Sequence, residues 1–171
     1  MPELQLDGLP ARAHADRLRL LRRNLDRENA EAAWIAKSAN VFYLSAFTGE
    51  DSTLLITPHR TVLITDSRYD EQAREEARVD EIVCRRGPMH RAVARTCRSL
   101  NVASLAFASR NVTHADALAL SQELPNVELS PCTGGLAEPI RVRKGEQEVR
   151  SIRHALRVAE KSFTDTVREM K

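Results

Sequence analysis

Cysteine is scarce in this sequence, because only three of its 171 residues are cysteine: Cys84, Cys97 and Cys132. An odd number without C-x-x-C spacing excludes a disulfide framework and a zinc ribbon, so we expect three reduced thiols. The five histidines are also scattered, and none has a partner at metal-ligand spacing such as H-E-x-x-H. We therefore expect no metal ion or other cofactor in this chain.

Long apolar runs are missing as well. The longest are about five residues, whereas a membrane-spanning helix requires roughly 20. No succession of charged, apolar and small residues at the start resembles a signal peptide. We expect a cytoplasmic protein with no membrane partner.

An excess of charge of one sign is also lacking, since the formal net charge is +2. The segment from Ala11 to Arg27 is an arginine-rich predicted helix, but acidic residues interrupt its basic face and no aromatic residues are interleaved with the arginines. A nucleic-acid groove combines focused positive charge with stacking side chains. We expect no nucleic-acid partner. The six glycines do not form a phosphate-binding loop either.

What is present is a regular alternation of strand and helix patterns. Ser52 to Thr57 and Thr61 to Thr65 are rich in β-branched and apolar residues, and Pro58-His59-Arg60 between them is typical of a turn, so we predict a hairpin. A strand at Ala32 to Lys37, with Trp34 in the core, precedes the hairpin. Further predicted strands are Glu81 to Arg85, Ser104 to Ala108 and an extended piece at Val127 to Pro131.

Predicted helices separate these strands. They begin near Tyr69, at Pro88 and after the candidate cap Thr113, and we expect Asp66 or Ser67 to cap the first of them. Alternation places helices on both faces of a sheet, and the hairpin requires at least one antiparallel strand. The fold class is α/β: three α/β/α layers with a mixed sheet.

Two sequence motifs carry a resemblance to a known family. The first is Asn40-x-x-Tyr-Leu-x-x-Phe-Thr-Gly49, followed by the hairpin and by Asp66-Ser-Arg-Tyr-x-x-Gln-Ala73. The second is Arg141-Val-Arg-Lys-x-x-x-Glu148 before an amphipathic helix. In order and spacing the chain resembles the amino-terminal domain of the creatinase, prolidase and Xaa-Pro aminopeptidase family of pita-bread metallopeptidases. The catalytic domain of that family, with its two Asp, one His and two Glu ligands, is missing from these 171 residues.

The resemblance implies a ribonuclease H-like arrangement of about five strands. It also implies that the parent protein is a dimeric hydrolase. Such a parent uses two divalent ions (Mn, Co or Zn) in its catalytic domain to cleave peptides with proline in the second position, or is a relative that cleaves a C–N bond without metal.

In the family this domain supports dimerisation and covers the active site of the partner subunit. The residues that the resemblance makes candidates for a substrate gate or an interface are Phe47, Thr48, Gly49, Asp66, Arg68 and Tyr69. Local structural roles are the alternative: Phe47 in the core, Gly49 in a turn, Asp66 as a helix cap and Arg68 paired with a carboxylate.

The carboxyl-terminal part of the chain predicts an oligomer. We expect residues 1–135 to form the α/β domain, 136–145 a linker, and 146–171 the first helix of the catalytic domain. Apolar residues at steps of three and four form a stripe along that helix, namely Ile152, Leu156, Ala159, Phe163, Val167 and Met170. Such a stripe requires a partner, and in the isolated chain we expect another copy to supply it in a two-fold dimer.

One alternative stays open at this point. The chain could be a stand-alone interaction module or a nucleotide- or nucleic-acid-binding α/β module, because fold alone does not decide function. A nuclease would require an acidic residue inside the first sheet strand, and the Ala32 to Lys37 segment has none.

Overall fold

A computed structural model describes residues 11–170, with side chains from residue 13 onward. The irregular segment predicted for residues 1–10 lies outside the described residues. The chain divides into two compact units, Met1–Ile140 and Arg141–Lys171.

The first unit contains all the strands of the described residues. They are β1 (Ala32–Ile35), β2 (Thr53–Ile56), β3 (Thr61–Asp66), β4 (Glu81–Arg85), β5 (Ser104–Ala108) and β6 (Glu128–Cys132). The helices of both units, in chain order, are α1 (Ala11–Arg27), α2 (Ser38–Ser45), α3 (Asp70–Glu76), α4 (Met89–Ser99), α5 (His114–Glu123), α6 (Glu138–Val142) and α7 (Glu146–Glu169).

The six strands form one mixed sheet in the order β4-β3-β2-β1-β5-β6. The hairpin pairs β2 with β3 in antiparallel register, with Leu54 opposite Leu63, and β1 also pairs with β2 antiparallel. The pairs β1 with β5, β3 with β4 and β5 with β6 are parallel. Strand β2 alone therefore runs against the other five, as predicted for a hairpin strand.

Two apolar layers flank the sheet. Helices α1, α2 and α3 pack on one face, around the buried side chains of Leu21, Leu44, Phe47, Leu54 and Leu63. Helices α4 and α5 pack on the other face, around those of Trp34, Leu55, Ile64, Val93 and Leu120. The three-layer α/β/α prediction and the core position of Trp34 are confirmed. The three cysteines are free thiols, also as predicted.

Two details differ from the sequence prediction. The sheet has six strands and not about five, because the extended piece near Pro131 pairs with β5 as an edge strand. Proline lacks the N–H that an inner strand must donate, but an edge strand tolerates it. In addition, the first half of the Asn40 to Gly49 motif, for which the sequence predicted no helix, lies in α2, and the backbone turns at Ala46 with φ of 64°.

The second unit consists mainly of α7. Its first turn is stabilised by Glu148, whose Oε2 accepts the Gly145 N–H at 2.9 Å. This is one half of a capping box. The helix ends close to where the sequence predicted.

Candidate functional site

The family motif places its residues at the carboxyl end of β3 and in the loop before β2. Phe47, Thr48 and Gly49 follow α2, Asp66 is the last residue of β3, and Arg68 and Tyr69 lie between β3 and α3. The structure brings all six together, and we call them, with Asp51, Gln72, Glu76 and Arg85, the loop cluster.

Two aromatic rings form the base of the loop cluster. Phe47 is 1% exposed and its ring meets that of Tyr69 edge to face, with centroids 6.3 Å apart. A Cβ on Gly49 would lie 2.9 Å from Tyr69 Cδ1 and closer still to Phe47 Cζ. Only glycine fits here without a shift of the rings.

Polar contacts attach the loop to α3. Thr48 donates from its backbone N–H and its hydroxyl to Glu76 Oε2, at 2.8 and 2.7 Å. Gln72 Nε2 donates to Thr48 Oγ1 at 2.9 Å and to Glu76 Oε1 at 3.0 Å. Burial acts to raise the pKa of Glu76, but the hydrogen bonds from Thr48 and Gln72 outweigh it and the pKa is lowered. The carboxylate form of Glu76 therefore holds the loop.

Two arginines and two aspartates form the outer part of the loop cluster. Arg68 Nη2 lies 2.6 Å from Asp66 Oδ2 and 2.7 Å from Asp51 Oδ2. Arg85, at the end of β4, donates to Asp51 Oδ2 at 2.6 Å and lies 3.6 Å from Asp66. The Arg85 side chain is 14% exposed, whereas that of Arg68 is 66% exposed. Arg68 is thus the more exposed of the two arginines in the loop cluster.

The guanidinium of Arg68 has a strong effect on Asp66. Its hydrogen bonds to the Asp66 carboxylate, together with the Arg68 backbone N–H at 2.9 Å, lower the pKa of Asp66 to about 2. The charged form of Asp66 is therefore favoured throughout the physiological pH range.

The predicted capping role of Asp66 and Ser67 is wrong. The N-cap of α3 is Tyr69, and no side chain accepts a hydrogen bond there. The Asp66 carboxylate accepts the N–H of Arg68, two residues on, and so closes a turn before the helix. Thr113 does cap α5, since its Oγ1 accepts the Asp116 N–H at 3.1 Å.

Sequence reasoning missed Asp51 and Arg85 as members of the loop cluster. Asp66 and Arg85 end neighbouring parallel strands and stand opposite each other in the register. The carboxyl ends of parallel strands lie at one edge of a sheet. The predicted strands together with their order in the sheet would therefore have predicted that Asp66 and Arg85 lie side by side.

The stripe on α7 is exposed along its whole length. Its residues have exposed fractions between 40 and 81%, namely Ile152, Leu156, Phe163, Val167 and Met170.

Residues 11–170 contain no group of three or more His, Cys, Asp or Glu side chains that could hold a metal ion. No helix among them is long and apolar enough to cross a membrane.

The chain is similar to known peptidases. The chain is 26% identical over 155 residues to the uncharacterized peptidase YqhT of Bacillus subtilis (strain 168), covering 91% of this chain and 44% of YqhT. The Xaa-Pro dipeptidase from Bacillus anthracis is 27% identical and superposes with a TM-score of 0.83, covering 89% of this chain and 42% of that enzyme. This chain therefore spans less than half the length of either relative.

A third relative is matched over nearly its whole length. The N-terminal domain of cytoplasmic peptidase PepQ from Mycobacterium tuberculosis H37Rv is 32% identical, with a TM-score of 0.66, covering 72% of this chain and 97% of that domain. The chain thus resembles the N-terminal domain of Xaa-Pro peptidases. The family model of the creatinase/prolidase N-terminal domain matches residues 17–143, and the chain belongs to that family.

Proposed function

We propose that this chain is the non-catalytic N-terminal domain of a Xaa-Pro peptidase, of the aminopeptidase P or prolidase type, or of a creatinase-like hydrolase. The observation that carries the proposal is the likeness to the Bacillus anthracis Xaa-Pro dipeptidase, which extends over 89% of this chain but 42% of the enzyme. On this proposal residues 1–135 are the domain, 136–145 a linker, and 146–171 the first helix of the catalytic domain.

The metal chemistry of the proposed parent belongs to another part of that protein. Residues 11–170 do not fit a two-metal centre, because no suitable group of ligands comes together among them. We propose that two divalent ions (Mn, Co or Zn) are held by the catalytic domain of a cytoplasmic, dimeric metallopeptidase. The sequence encoded after Lys171 tests this: it should contain two Asp, one His and two Glu as ligands.

The loop cluster is proposed to act at the substrate entrance of the partner subunit. Phe47, Gly49 and Tyr69 fix the shape of the loop, Thr48 attaches it to α3, and Asp66 orients Arg68. Since the Arg68 side chain is 66% exposed, its guanidinium is available to the carboxylate of a bound peptide or to the partner subunit.

Kinetics of the whole protein test this role. Arg68→Ala should raise KM for a Xaa-Pro dipeptide by roughly tenfold with little change in kcat, as expected for the loss of a binding contact worth about 1.4 kcal/mol. Arg74→Ala is the matched control, because Arg74 is similarly exposed and pairs with Asp70 on the nearby helix α3. Equal kinetic constants for the two variants would show that Arg68 makes no binding contact at the substrate entrance.

A further inference from the structure

The connections of the sheet diverge at the carboxyl ends of the parallel neighbours β1 and β5. The helix after β1, α2, packs on one face of the sheet, and the helix after β5, α5, packs on the other. Open α/β folds bind their ligands where neighbouring connections diverge in this way. In this chain Asn40 of α2 and Asn111 of the loop after β5 follow these two strand ends and contact the same side chain.

The side chain that Asn40 and Asn111 share is that of Glu138. Its Oε1 accepts hydrogen bonds from Asn40 Nδ2 at 2.8 Å and from Asn111 Nδ2 at 2.7 Å. Asn40 is 2% exposed, so this donor is withdrawn from bulk water. The Glu138 Oε2 atom is buried without a hydrogen-bond partner among the described residues. A carboxylate is therefore held through one oxygen by two amide donors.

The chain just before Glu138 leaves room for the Glu138 side chain. Gly135 has φ of +75°, and a Cβ on it would lie 2.9 Å from Glu138 Cδ and closer to Oε2. Leu136 and Ala137 are fully buried. Asn24 of α1 donates to the Leu136 carbonyl at 3.0 Å. The segment thus consists of a residue with left-handed backbone, two buried apolar residues and an acidic side chain, in that order.

We propose that Asn40 and Asn111 form a carboxylate-binding site at the sheet edge, and that Glu138 is its resident ligand. The site anchors the chain three residues before the second unit begins at Arg141. Side-chain amides are suited to this task, because they donate to a carboxylate without adding a charge that must itself be desolvated. Glu138 is a positioning residue, and the site it occupies has the chemistry to take a free carboxylate in its place.

The charge of Glu138 agrees with this geometry. Burial acts to raise the pKa of Glu138, but the hydrogen bonds from Asn40 and Asn111, with smaller contributions from the Glu138 backbone N–H and from Lys37, lower it overall. The ligand is thus the carboxylate and not the acid.

Chemical rescue of the 171-residue chain tests the proposal. Glu138→Ala removes the atoms that acetate can replace, and its amides in residues 134–140 should exchange with deuterium roughly tenfold faster, as expected for lost hydrogen bonds to a charged group. Sodium acetate should slow that exchange more than sodium chloride at equal ionic strength. The control Glu71→Ala, on the exposed side of α3, should respond to the two salts equally, and so should the Asn111→Ala, Glu138→Ala double variant.

Two variants that keep the size of the side chains guard against simple unfolding. Asn111→Asp should also speed exchange in residues 134–140, because it sets a second carboxylate against Glu138 Oε1. Adding Glu138→Gln to that variant should restore slow exchange, since an amide and a carboxylate then face each other again. The proposal is overturned if acetate and chloride act alike on Glu138→Ala, or if Asn111→Asp is not rescued by Glu138→Gln.

Discussion

At Gly49 two aromatic rings leave no room for a side chain. We predict that Gly49→Ala lowers the free energy of unfolding by roughly 1–3 kcal/mol, the usual cost of overpacking. Urea unfolding measures it, with Gly134→Ala as control, because a Cβ at Gly134 meets nothing within 4 Å. The control should change stability by less than about 1 kcal/mol. Equal losses in the two variants would mean that the packing of Phe47 and Tyr69 does not hold the loop.

The lowered pKa of Asp66 implies that the stability of the fold depends on pH. Its folded-state pKa is about 2, below the ordinary value of 3.8 for aspartate. A carboxyl group of this kind stabilises the fold fully above its unfolded pKa, and the contribution is lost as the pH falls through the folded value.

We therefore expect Asp66→Asn to be less stable than the parent chain at about pH 6, with the difference shrinking as the pH falls from about 4 towards 2. Urea unfolding at several pH values measures it, and Asp26→Asn, at an exposed position of α1, should show a much weaker trend. A difference for Asp66→Asn that is constant or grows on acidification would contradict the pairing with Arg68.

Single residues were predictable where a motif names them and not where the fold brings them together. Asp66 and Arg68 follow from the motif, and one alternative paired Arg68 with a carboxylate but made Asp66 a helix cap. Asp51, Arg85 and Glu138 are not marked by local pattern, because their partners lie between 17 and 98 residues away in the chain. Such contacts depend on strand order, which composition and periodicity do not encode.

Among the elements, the hairpin is the part that local chemistry specifies best. Its strands are β-branched and apolar, and the structure pairs them as predicted. Helix α2 was missed because its sequence, SANVFYLS, contains β-branched and aromatic residues of modest helix propensity and has no side-chain cap. Its stability comes from packing, since Val41 and Leu44 are fully buried.

Helix α7 carries a prediction at this scale. If its exposed stripe pairs with another copy, the 171-residue chain is a dimer, because each buried Leu, Ile, Phe, Val or Met contributes roughly 1.5–3 kcal/mol. Light scattering should then show a dimer for the full chain and a monomer for a version ending at Lys144. Leu156→Glu with Phe163→Glu should also give the monomer. A monomeric full chain at tens of micromolar, or equal dimerisation of both lengths, would refute this role of α7.

For the whole molecule, the alternation of strands and helices was enough to predict three layers, and the hairpin was enough to predict at least one antiparallel strand. The sixth strand was predicted only as an extended piece; the structure pairs it with β5 at the edge of the sheet, where Pro131 is tolerated. The division between units falls between Ile140 and Arg141, inside the predicted linker, where α6 also lies. The predicted boundaries at 135 and 145 stay a prediction.

We propose above that this chain is the non-catalytic N-terminal part of a Xaa-Pro peptidase. A hydrolysis assay tests it most directly, on the 171-residue chain and on the protein expressed from the whole reading frame, with Xaa-Pro peptides and added manganese, cobalt or zinc. We predict turnover by the whole protein that a chelator abolishes, and none by the 171-residue chain. Chelator-sensitive turnover by the 171-residue chain, or no hydrolysis by the whole protein, would contradict the claim.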